Sequence, residues 1–285
     1  MEASLILGAH MSIAGGAQRA LERAGSIQCE AVQIFTKNQL RWSAPPLQES
    51  SIRAFRRLKL NFSKILAHGS YLINLASPEQ DIFEKSVEAL REEIRRCRLL
   101  DIDVLILHPG SHRGAGIDWG IQRAVEGVRS AYGEERENRL RLTLETTAGG
   151  GATLGARFEQ LRDLLEALQA AAIPAGICVD TCHMFAAGYE LRNRKGYEST
   201  WRRFERVIGL QHLLAVHLND SRGSLGSGID RHEHIGKGEI GLPGFRRLIR
   251  DSRLTKIPGI LETPKSADMH EDVENLQRLR ALSRP

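Results

Sequence analysis

The amino-acid sequence predicts an α/β protein that folds as one closed (β/α)₈ barrel, the TIM-barrel architecture. Two features of the sequence lead to this prediction. Short apolar runs alternate with amphipathic helical segments along the whole chain, and eight such strand–helix units can be counted. Near-continuous apolar strands that alternate with helices are typical of a parallel sheet covered on its outside. The length of 285 residues also fits, since such barrels take about 250 residues.

Each unit begins with an apolar run that is interpreted as a buried strand. These runs are residues 5–9, 31–35, 64–67, 104–107, 140–144, 175–179, 213–216 and 257–261. Apolar residues at helical spacing follow most of them. The helical segments end at residue 24 or lie around residues 52–58, 83–97, 158–168, 201–208, 245–249 and 273–279. No linker, fixed repeat or low-complexity tract interrupts the pattern, so residues 1–285 are expected to form one domain. The charged segment 133–141 is expected to be a solvated helix end and turn.

Composition restricts the class of protein. Hydrophobic residues make up 41% of the chain, which is enough for a large core. The net charge of +5 mildly favours polyanionic partners. The four cysteines form no C-x-x-C pair, so a reducing compartment is expected. The N-terminus lacks the features of a signal peptide, and no apolar run approaches the length of a membrane span. A cytoplasmic protein without a membrane partner is therefore predicted.

Six strands in succession end in a side chain that can bind a metal ion. These side chains are His68, His108, Glu145, Asp180, His217 and Glu262. The strand tips of such a barrel converge on its C-terminal face, where active sites of this fold lie. A histidine at a strand end is usually an ordinary satisfied polar residue, but six successive coincidences are hard to accept. We therefore predict a metal site at the C-terminal face of the strands.

Nearby loops add three more candidates. His183 follows Asp180 by three residues on the exit of the same strand, and the loop after the seventh strand carries Asp230 and His232. One ion with four ligands cannot use nine residues, so the number of candidates indicates two or three metals that share a carboxylate. Imidazole-rich sites favour zinc over magnesium or calcium.

Other signals are discounted. Residues 236–241 match G-x-G-x-x-G, but they follow a polar loop and not a strand, so they do not indicate a dinucleotide site. Cys178 and Cys182 flank Asp180 and are interpreted as buried structural thiols. His10 and His112 are expected to lie beside the site without binding metal.

The residues resemble one known family closely, the endonuclease IV family of zinc-dependent apurinic/apyrimidinic endonucleases in base-excision repair. The resemblance runs nearly end to end. It rests on the segments Gly8-Ala9-His10, Phe35-Thr36-Lys37-Asn38, His68-Gly69-Ser70-Tyr71-Leu72-Ile73-Asn74-Leu75, His108-Pro109-Gly110-Ser111-His112, residues 180–189, His217-Leu218-Asn219-Asp220, Asp230-Arg231-His232 and Leu261-Glu262-Thr263.

The resemblance implies a barrel with three zinc ions, held by three sets of residues, of which the first two share Glu145. The sets are His68, His108 and Glu145; Glu145, Asp180, His217 and Glu262; and His183, Asp230 and His232. Only the resemblance decides between His232 and His234, which compete in the D-x-H-x-H sequence of this loop.

The resemblance also implies an activity. The family hydrolyses the phosphodiester on the 5′ side of an abasic site, which leaves a 3′-hydroxyl and a 5′-deoxyribose phosphate, and it removes 3′-blocking groups. The implied mechanism is a trinuclear zinc-hydroxide one, in which the bridging Glu145 is the catalytic carboxylate. The implied partner is double-stranded DNA that contains abasic sites or blocked 3′ ends. A monomer is expected, cytoplasmic and associated with the nucleoid when it acts.

Family members insert side chains into DNA to hold the abasic nucleotide out of the helix. Tyr71, Leu40 and Arg41 occupy the corresponding positions, and Arg231 is a further candidate for DNA binding. The candidates for phosphate contacts, with solvated surface charge as the alternative, are Lys37, Arg192, Arg194, Lys195, Arg222 and Lys237. The chain departs from the family at two places. Leu40-Arg41 stands where some members have Arg-Gln, and Thr146 stands where the family usually has Asn, next to Glu145.

Two rival functions stay open. Sugar isomerases and epimerases on the same barrel also place His, Asp and Glu at strand tips, but they generally use one or two ions held mainly by carboxylates. A non-catalytic DNA-lesion binder would be favoured only if the metals were structural, with four protein ligands each.

Overall fold

The computed structural model describes residues 5–133 and 139–283, and within them it confirms the predicted barrel of eight parallel strands. The barrel strands are β1 (Ile6–Met11), β2 (Ala31–Phe35), β3 (Lys64–His68), β4 (Val104–Leu107), β5 (Arg141–Glu145), β6 (Ala175–Asp180), β7 (Leu213–His217) and β10 (Pro258–Leu261). Their order around the barrel is β1-β10-β7-β6-β5-β4-β3-β2, and β1 pairs with β2 to close it. The short strands β8 (Asp220–Ser221) and β9 (His232–Glu233) form an antiparallel hairpin between β7 and β10.

Helices cover the outside of the barrel in the described part of the chain. They are α1 (Ala17–Ser26), α2 (Glu49–Lys59), α3 (Gln80–Leu100), α4 (Ile117–Tyr132), α5 (Phe158–Ala170), α7 (Arg194–Val207), α8 (Gly241–Ile249) and α9 (His270–Ser283), with 3₁₀ turns at Leu210–His212 and Ser252–Leu254. The short helix α6 (Thr181–Ala186) instead follows β6 directly, at the C-terminal end of the strand. Most of the solvated turn expected at 133–141 lies outside the described residues, which omit 134–138.

Two helices were not predicted from the sequence. Helix α4 fills the interval between β4 and β5. Its apolar pattern is diluted by Gly120 and Gly127, which let it pack closely, since a Cβ on Gly127 would stand 2.8 Å from the Leu75 side chain. Helix α6 contains only six residues, too few to show a periodicity. His183 therefore lies in a short helix and not in the loop expected after β6.

The buried apolar residues form two separate cores. The larger one fills the space between the strands and the helices. The smaller one contains Ala31, Leu66, Val104, Ile106, Cys178, Ala215 and Ile260, all buried and all on barrel strands. Side chains two residues apart on a strand point to the same face. Residues two positions after Leu66, Cys178 and Ala215 are His68, Asp180 and His217, so the smaller core supports the predicted site from below.

The interpretation of Cys178 and Cys182 as buried thiols is confirmed. Cys29, Cys97, Cys178 and Cys182 are buried free thiols. Burial raises the pKa of Cys29, Cys178 and Cys182 to about 12, so these thiols are neutral and unreactive at physiological pH. Among the described residues, no helix is both long enough and apolar enough to cross a bilayer.

Candidate metal centre

The nine predicted ligands come together at the C-terminal ends of the strands. His68, Glu145, Asp180 and His217 are the last residues of β3, β5, β6 and β7, and the tip of β4 is followed at once by His108. Among these nine residues, three groups form in which the potential ligand atoms of one group all lie within 4.8 Å of one another. The groups are His68, His108 and Glu145; Glu145, Asp180, His217 and Glu262; and His183, Asp230 and His232.

Glu145 lies at the centre of the site and is fully buried. Its Oε2 atom is 2.9 Å from His68 Nε2 and 3.5 Å from His108 Nε2. Its Oε1 atom is 2.9 Å from His217 Nδ1 and 3.4 Å from His183 Nδ1. One carboxylate therefore faces imidazoles from three strand ends and from helix α6, with a different pair on each oxygen. This is the arrangement that a bridging ligand requires.

Hydrogen bonds from the chain fix the histidine tautomers. His68 Nδ1 donates to the Gly69 carbonyl at 2.8 Å, and His183 Nδ1 donates to the carbonyl of Thr146 at 2.8 Å. His217 Nε2 donates to the amide oxygen of Gln33 at 2.8 Å. In each case one ring nitrogen carries its proton away from the site, and the other directs a lone pair into it. Such orienting bonds are the usual partners of metal-binding histidines.

Two imidazole nitrogens that face the site form no hydrogen bond in the described part of the chain. His183 Nε2 and His232 Nε2 are buried and form no hydrogen bond, yet they lie 3.2 and 3.4 Å from Asp230 Oδ1. A nitrogen acceptor and a carboxylate oxygen repel each other unless a proton or a cation lies between them. The donor set of five imidazoles and four carboxylates therefore fits divalent cations of the zinc type.

The pKa values of these groups have the direction expected for a tightly coupled cluster. Burial would raise the pKa of Glu145, but His217 and His108 outweigh it and hold this pKa well below its usual value. Burial would lower the pKa of His232, but Asp180 and Asp230 raise it to about 9. The pKa of His108 is lowered, chiefly by burial. The carboxylate of Glu145 is thus ionised at neutral pH, as a cation ligand must be.

Three polar residues hold the ligands in place through hydrogen bonds. These bonds were not predicted from the sequence. Asn219 Nδ2 donates to Asp180 Oδ2 at 2.7 Å, and Asn219 Oδ1 accepts from the Glu262 backbone N–H at 2.9 Å. Gln33 Nε2 donates to Glu262 Oε1 at 2.6 Å. Thr146 Oγ1 accepts from the Asp180 backbone N–H at 2.8 Å. Gln33 could have been noticed, because it is the only polar residue in the apolar run 31–35.

The histidines outside the nine differ in position. His10 lies beside the site as expected, with Nδ1 3.4 Å from Glu262 Oε1. His112 Nδ1 accepts the backbone N–H groups of Gly114 and Gly116 and so shapes the loop after β4. His234 faces Asn275 on α9, at 3.1 Å, so it is His232 that faces the candidate site.

The glycine-rich segment 236–241 surrounds a side chain of its own chain. The carboxylate of Asp220 accepts backbone N–H groups from Gly236 at 2.9 Å, Gly238 at 3.1 Å and Ile240 at 2.9 Å. A Cβ on Gly238 would stand 2.4 Å from the Ser221 carbonyl oxygen, so the tight approach requires glycine. The amides that a phosphate would need are already bound, which agrees with the rejection of a dinucleotide site.

The residues expected to enter DNA lie on the rim of the site. Tyr71 is 60% exposed, and its ring centroid is 5.3 Å from Phe35 and 6.1 Å from His68. Leu40 is 67% exposed at the tip of the loop after β2. Ser70 Oγ donates to the Gln39 carbonyl at 2.6 Å, so the loops that carry Tyr71 and Leu40 are joined. Arg41 and Arg231 are exposed.

The predicted phosphate contact of Lys37 is wrong. Its side chain is buried, with Nζ 3.4 Å from Glu93 Oε1 on α3. The same ammonium donates to the Arg41 carbonyl at 2.9 Å. A group that is enclosed and paired in this way cannot reach a DNA backbone. Lys37 instead holds the loop to which it belongs.

Comparisons with known proteins show which proteins this chain is related to. The model of the xylose isomerase-like TIM barrel family matches residues 19–282. A protein named probable endonuclease 4 from Chloroflexus aurantiacus is 44% identical over 281 residues, which covers 96% of this chain and 97% of that protein. The crystal structure of endonuclease IV from Thermus thermophilus superposes with a TM-score of 0.85 at 37% identity, and covers 97% of this chain and 98% of that one. A D-tagatose 3-epimerase-like protein shares the fold, with a TM-score of 0.73, 17% identity and 96% of both chains covered.

We expect Thr146→Val to destabilise the protein, because the shape of the side chain is kept while the buried N–H of Asp180 loses its acceptor. An unpaired buried donor costs about 1–3 kcal/mol. Thr146→Ser keeps the hydroxyl and is the matched control. Urea unfolding of metal-free protein measures the free energy of unfolding of both variants. Equal values for Val and Ser would show that this hydrogen bond contributes nothing.

Proposed function

Because this chain belongs to the endonuclease IV family, we propose that it is a DNA-repair endonuclease that hydrolyses the phosphodiester on the 5′ side of an abasic site. The products are a 3′-hydroxyl and a 5′-deoxyribose phosphate, and the same site removes 3′-blocking groups. The substrate is double-stranded DNA with an abasic site or a blocked 3′ end. The single observation that carries the proposal is the arrangement of three ligand groups around Glu145.

The proposal includes three zinc ions held by those groups. His68, His108 and Glu145 would bind the first, and Glu145 would also bind the second. The remaining ligands would be Asp180, His217 and Glu262 for the second ion, and His183, Asp230 and His232 for the third. The fit rests on the converging lone pairs and on the tautomers fixed by Gly69, Thr146 and Gln33.

Clustered zinc, when bound, supplies a nucleophile near neutral pH and positive charge for the phosphate and the leaving oxygen. The chain supplies the rest. Glu145 has an ionised carboxylate with both oxygens directed into the site. Gln33 and Asn219 hold Glu262 and Asp180 through hydrogen bonds of 2.6 and 2.7 Å. These bonds keep the ligands oriented, so little rearrangement is needed during the reaction.

The exposure of the site supports a reacting centre over a structural one. The side chain of His108 is 31% exposed and that of Asp230 is 56% exposed, whereas Glu145 and His217 are buried. The ligand groups are therefore accessible from the surface at His108 and Asp230. A closed structural metal site has four buried ligands, whereas a catalytic site keeps access for a substrate.

The rim of the site supports DNA as the substrate. Leu40 and Tyr71 are large side chains exposed on adjacent loops, and apolar or aromatic side chains of this kind enter the base stack of bent or lesion-containing DNA. Arg41 and Arg231 are exposed and can contact phosphates. The sugar isomerase alternative is less favoured, because five of the nine candidate ligands are histidines. The shared fold of the epimerase-like protein carries no argument about substrate.

A monomer is sufficient for this function, since all nine candidate ligands come from one chain. The chromosome is the substrate, so we propose that the enzyme acts in the cytoplasm and at the nucleoid.

The direct test is incision of a duplex that carries one synthetic abasic site, next to an intact duplex. We expect a nick 5′ to the lesion that is lost after chelation and regained with zinc. Glu145→Gln, which keeps the size of the side chain but removes its charge, should lower kcat by at least about 10²-fold, the range for loss of one group that stabilises the transition state. A zinc-replete, folded protein that leaves the abasic duplex intact would contradict the proposal.

Chelation should also weaken binding. Without cations, the carboxylates of Glu145, Asp180, Asp230 and Glu262 repel a phosphodiester, whereas three zinc ions more than neutralise them. We expect the Kd for the abasic duplex to rise at least about tenfold in metal-free protein, equivalent to about 1.4 kcal/mol. Fluorescence anisotropy at constant salt measures this change, and circular dichroism verifies the fold. An unchanged Kd would mean that the metals do not contribute to binding.

A further inference from the structure

The loop of residues 36–46, which forms most of the connection from β2 to α2, is irregular and yet firmly held. It carries Leu40 and Arg41 at its tip. Its internal hydrogen bonds are few, and they form a turn in which Asn38 accepts from the backbone N–H groups of Leu40 at 2.9 Å and Arg41 at 3.2 Å. Most of the fixation comes from side chains that bind the carbonyl groups of the loop.

Three charged side chains provide that fixation. Lys37 Nζ donates to the Arg41 carbonyl at 2.9 Å. Arg96, on α3, donates to the Thr36 carbonyl at 3.2 Å and also to the carbonyl of Pro45. Glu93, one turn earlier on α3, lies 3.4 Å from Lys37 Nζ and accepts the hydroxyl of Thr36. We call Lys37, Glu93 and Arg96 the loop clamp.

The loop clamp is buried throughout. The side chains of Lys37, Glu93 and Arg96 are 0, 1 and 3% exposed. Burial of ions is costly, and apolar residues of similar size often give equal or greater stability. The loop clamp instead holds the loop in one conformation, because Lys37 and Arg96 donate hydrogen bonds to carbonyl groups at fixed positions along the loop.

The held conformation presents an apolar side chain to solvent. Leu40 is 67% exposed at the tip, where a mobile loop could instead fold it against the neighbouring Trp42 or Leu72. A loop that is already ordered loses less conformational entropy when it binds. A rigid tip therefore favours insertion of Leu40 into a DNA duplex.

We propose that Lys37, Glu93 and Arg96 are positioning residues, which hold the 36–46 loop so that Leu40 enters DNA at the lesion. This inference rests on the proposed function. The clamp acts through Leu40 and takes no part in the chemical step. Its loss should therefore weaken productive DNA binding and leave turnover at saturating substrate unchanged.

The test compares two Lys→Met substitutions. Lys37→Met keeps the length of the side chain but removes the bonds to Arg41 and Glu93. Lys85→Met is the matched control. Lys85 lies on α3, the helix that carries Glu93 and Arg96, but its side chain is 55% exposed and pairs only with Asp81 among the described residues. We expect Lys37→Met to raise KM for the abasic duplex roughly tenfold, equivalent to about 1.4 kcal/mol, with kcat unchanged. Lys85→Met should match the wild type in both constants.

A double-mutant cycle with Leu40→Ala separates positioning from general damage. If the clamp acts through Leu40, Lys37→Met should raise KM little further in the Leu40→Ala protein, since coupled residues are not additive. Fully additive effects, or a fall in kcat with unchanged KM, would overturn the proposal. Arg96→Lys, which keeps the charge but cannot reach the Thr36 and Pro45 carbonyls together, is the second variant should Lys37→Met fail to fold.

Limited trypsin digestion tests the loop without DNA. Arg41 is an exposed cleavage site, and a held loop resists proteolysis. We expect faster cleavage after Arg41 in Lys37→Met than in Lys85→Met. Equal cleavage would reject the clamp even if the wild type incises DNA. A wild type that does not incise abasic DNA would reject the proposed function. In that case, faster trypsin cleavage of Lys37→Met than of Lys85→Met would show that the loop is held but has no role in lesion binding.

Discussion

The site depends on one buried carboxylate. Glu145 ends β5, at the centre of the barrel mouth, and its two oxygens face different histidines at 2.9 Å, His68 on one side and His217 on the other. A lone buried carboxylate would be protonated, because burial disfavours the charged form. Glu145 stays ionised because the surrounding imidazoles outweigh the effect of burial. The adjacent candidate ligand groups therefore meet at this residue, and the arrangement of the site follows from its position.

The barrel explains why these groups meet at all. The smaller core fills the inside of the barrel below the site. The ligands that follow it on the strands therefore lie on a layer of buried apolar side chains. Register then sets the neighbours, since Asp180 pairs with His217 across β6 and β7. Asn219 and Gln33 link ligands from different strands, so the polar layer is held by hydrogen bonds as well as by the strands. A displacement of one strand would change several ligand groups together.

The sequence predicted the barrel and the nine converging side chains, because apolar strands with polar ends leave a strong local signal. It did not predict contacts that depend on distant parts of the chain. Lys37 looked like a surface cation, and only the packing of α3 on the loop shows that it is buried against Glu93. Helix α4 was missed because its glycines, which serve close packing, weaken the apolar pattern. The role of Thr146, next to Glu145 in sequence, depends on an N–H of the neighbouring strand β6.

The central claim is that three ligand groups, two of which share Glu145, hold three zinc ions. Anomalous diffraction at the zinc absorption edge, on crystals of the protein prepared with zinc, tests it most directly. Three peaks are expected, each about 2.0–2.3 Å from the nitrogen and oxygen atoms of one group, with Glu145 contacting two of them. A single peak, or several peaks none of which contacts Glu145, would contradict the account.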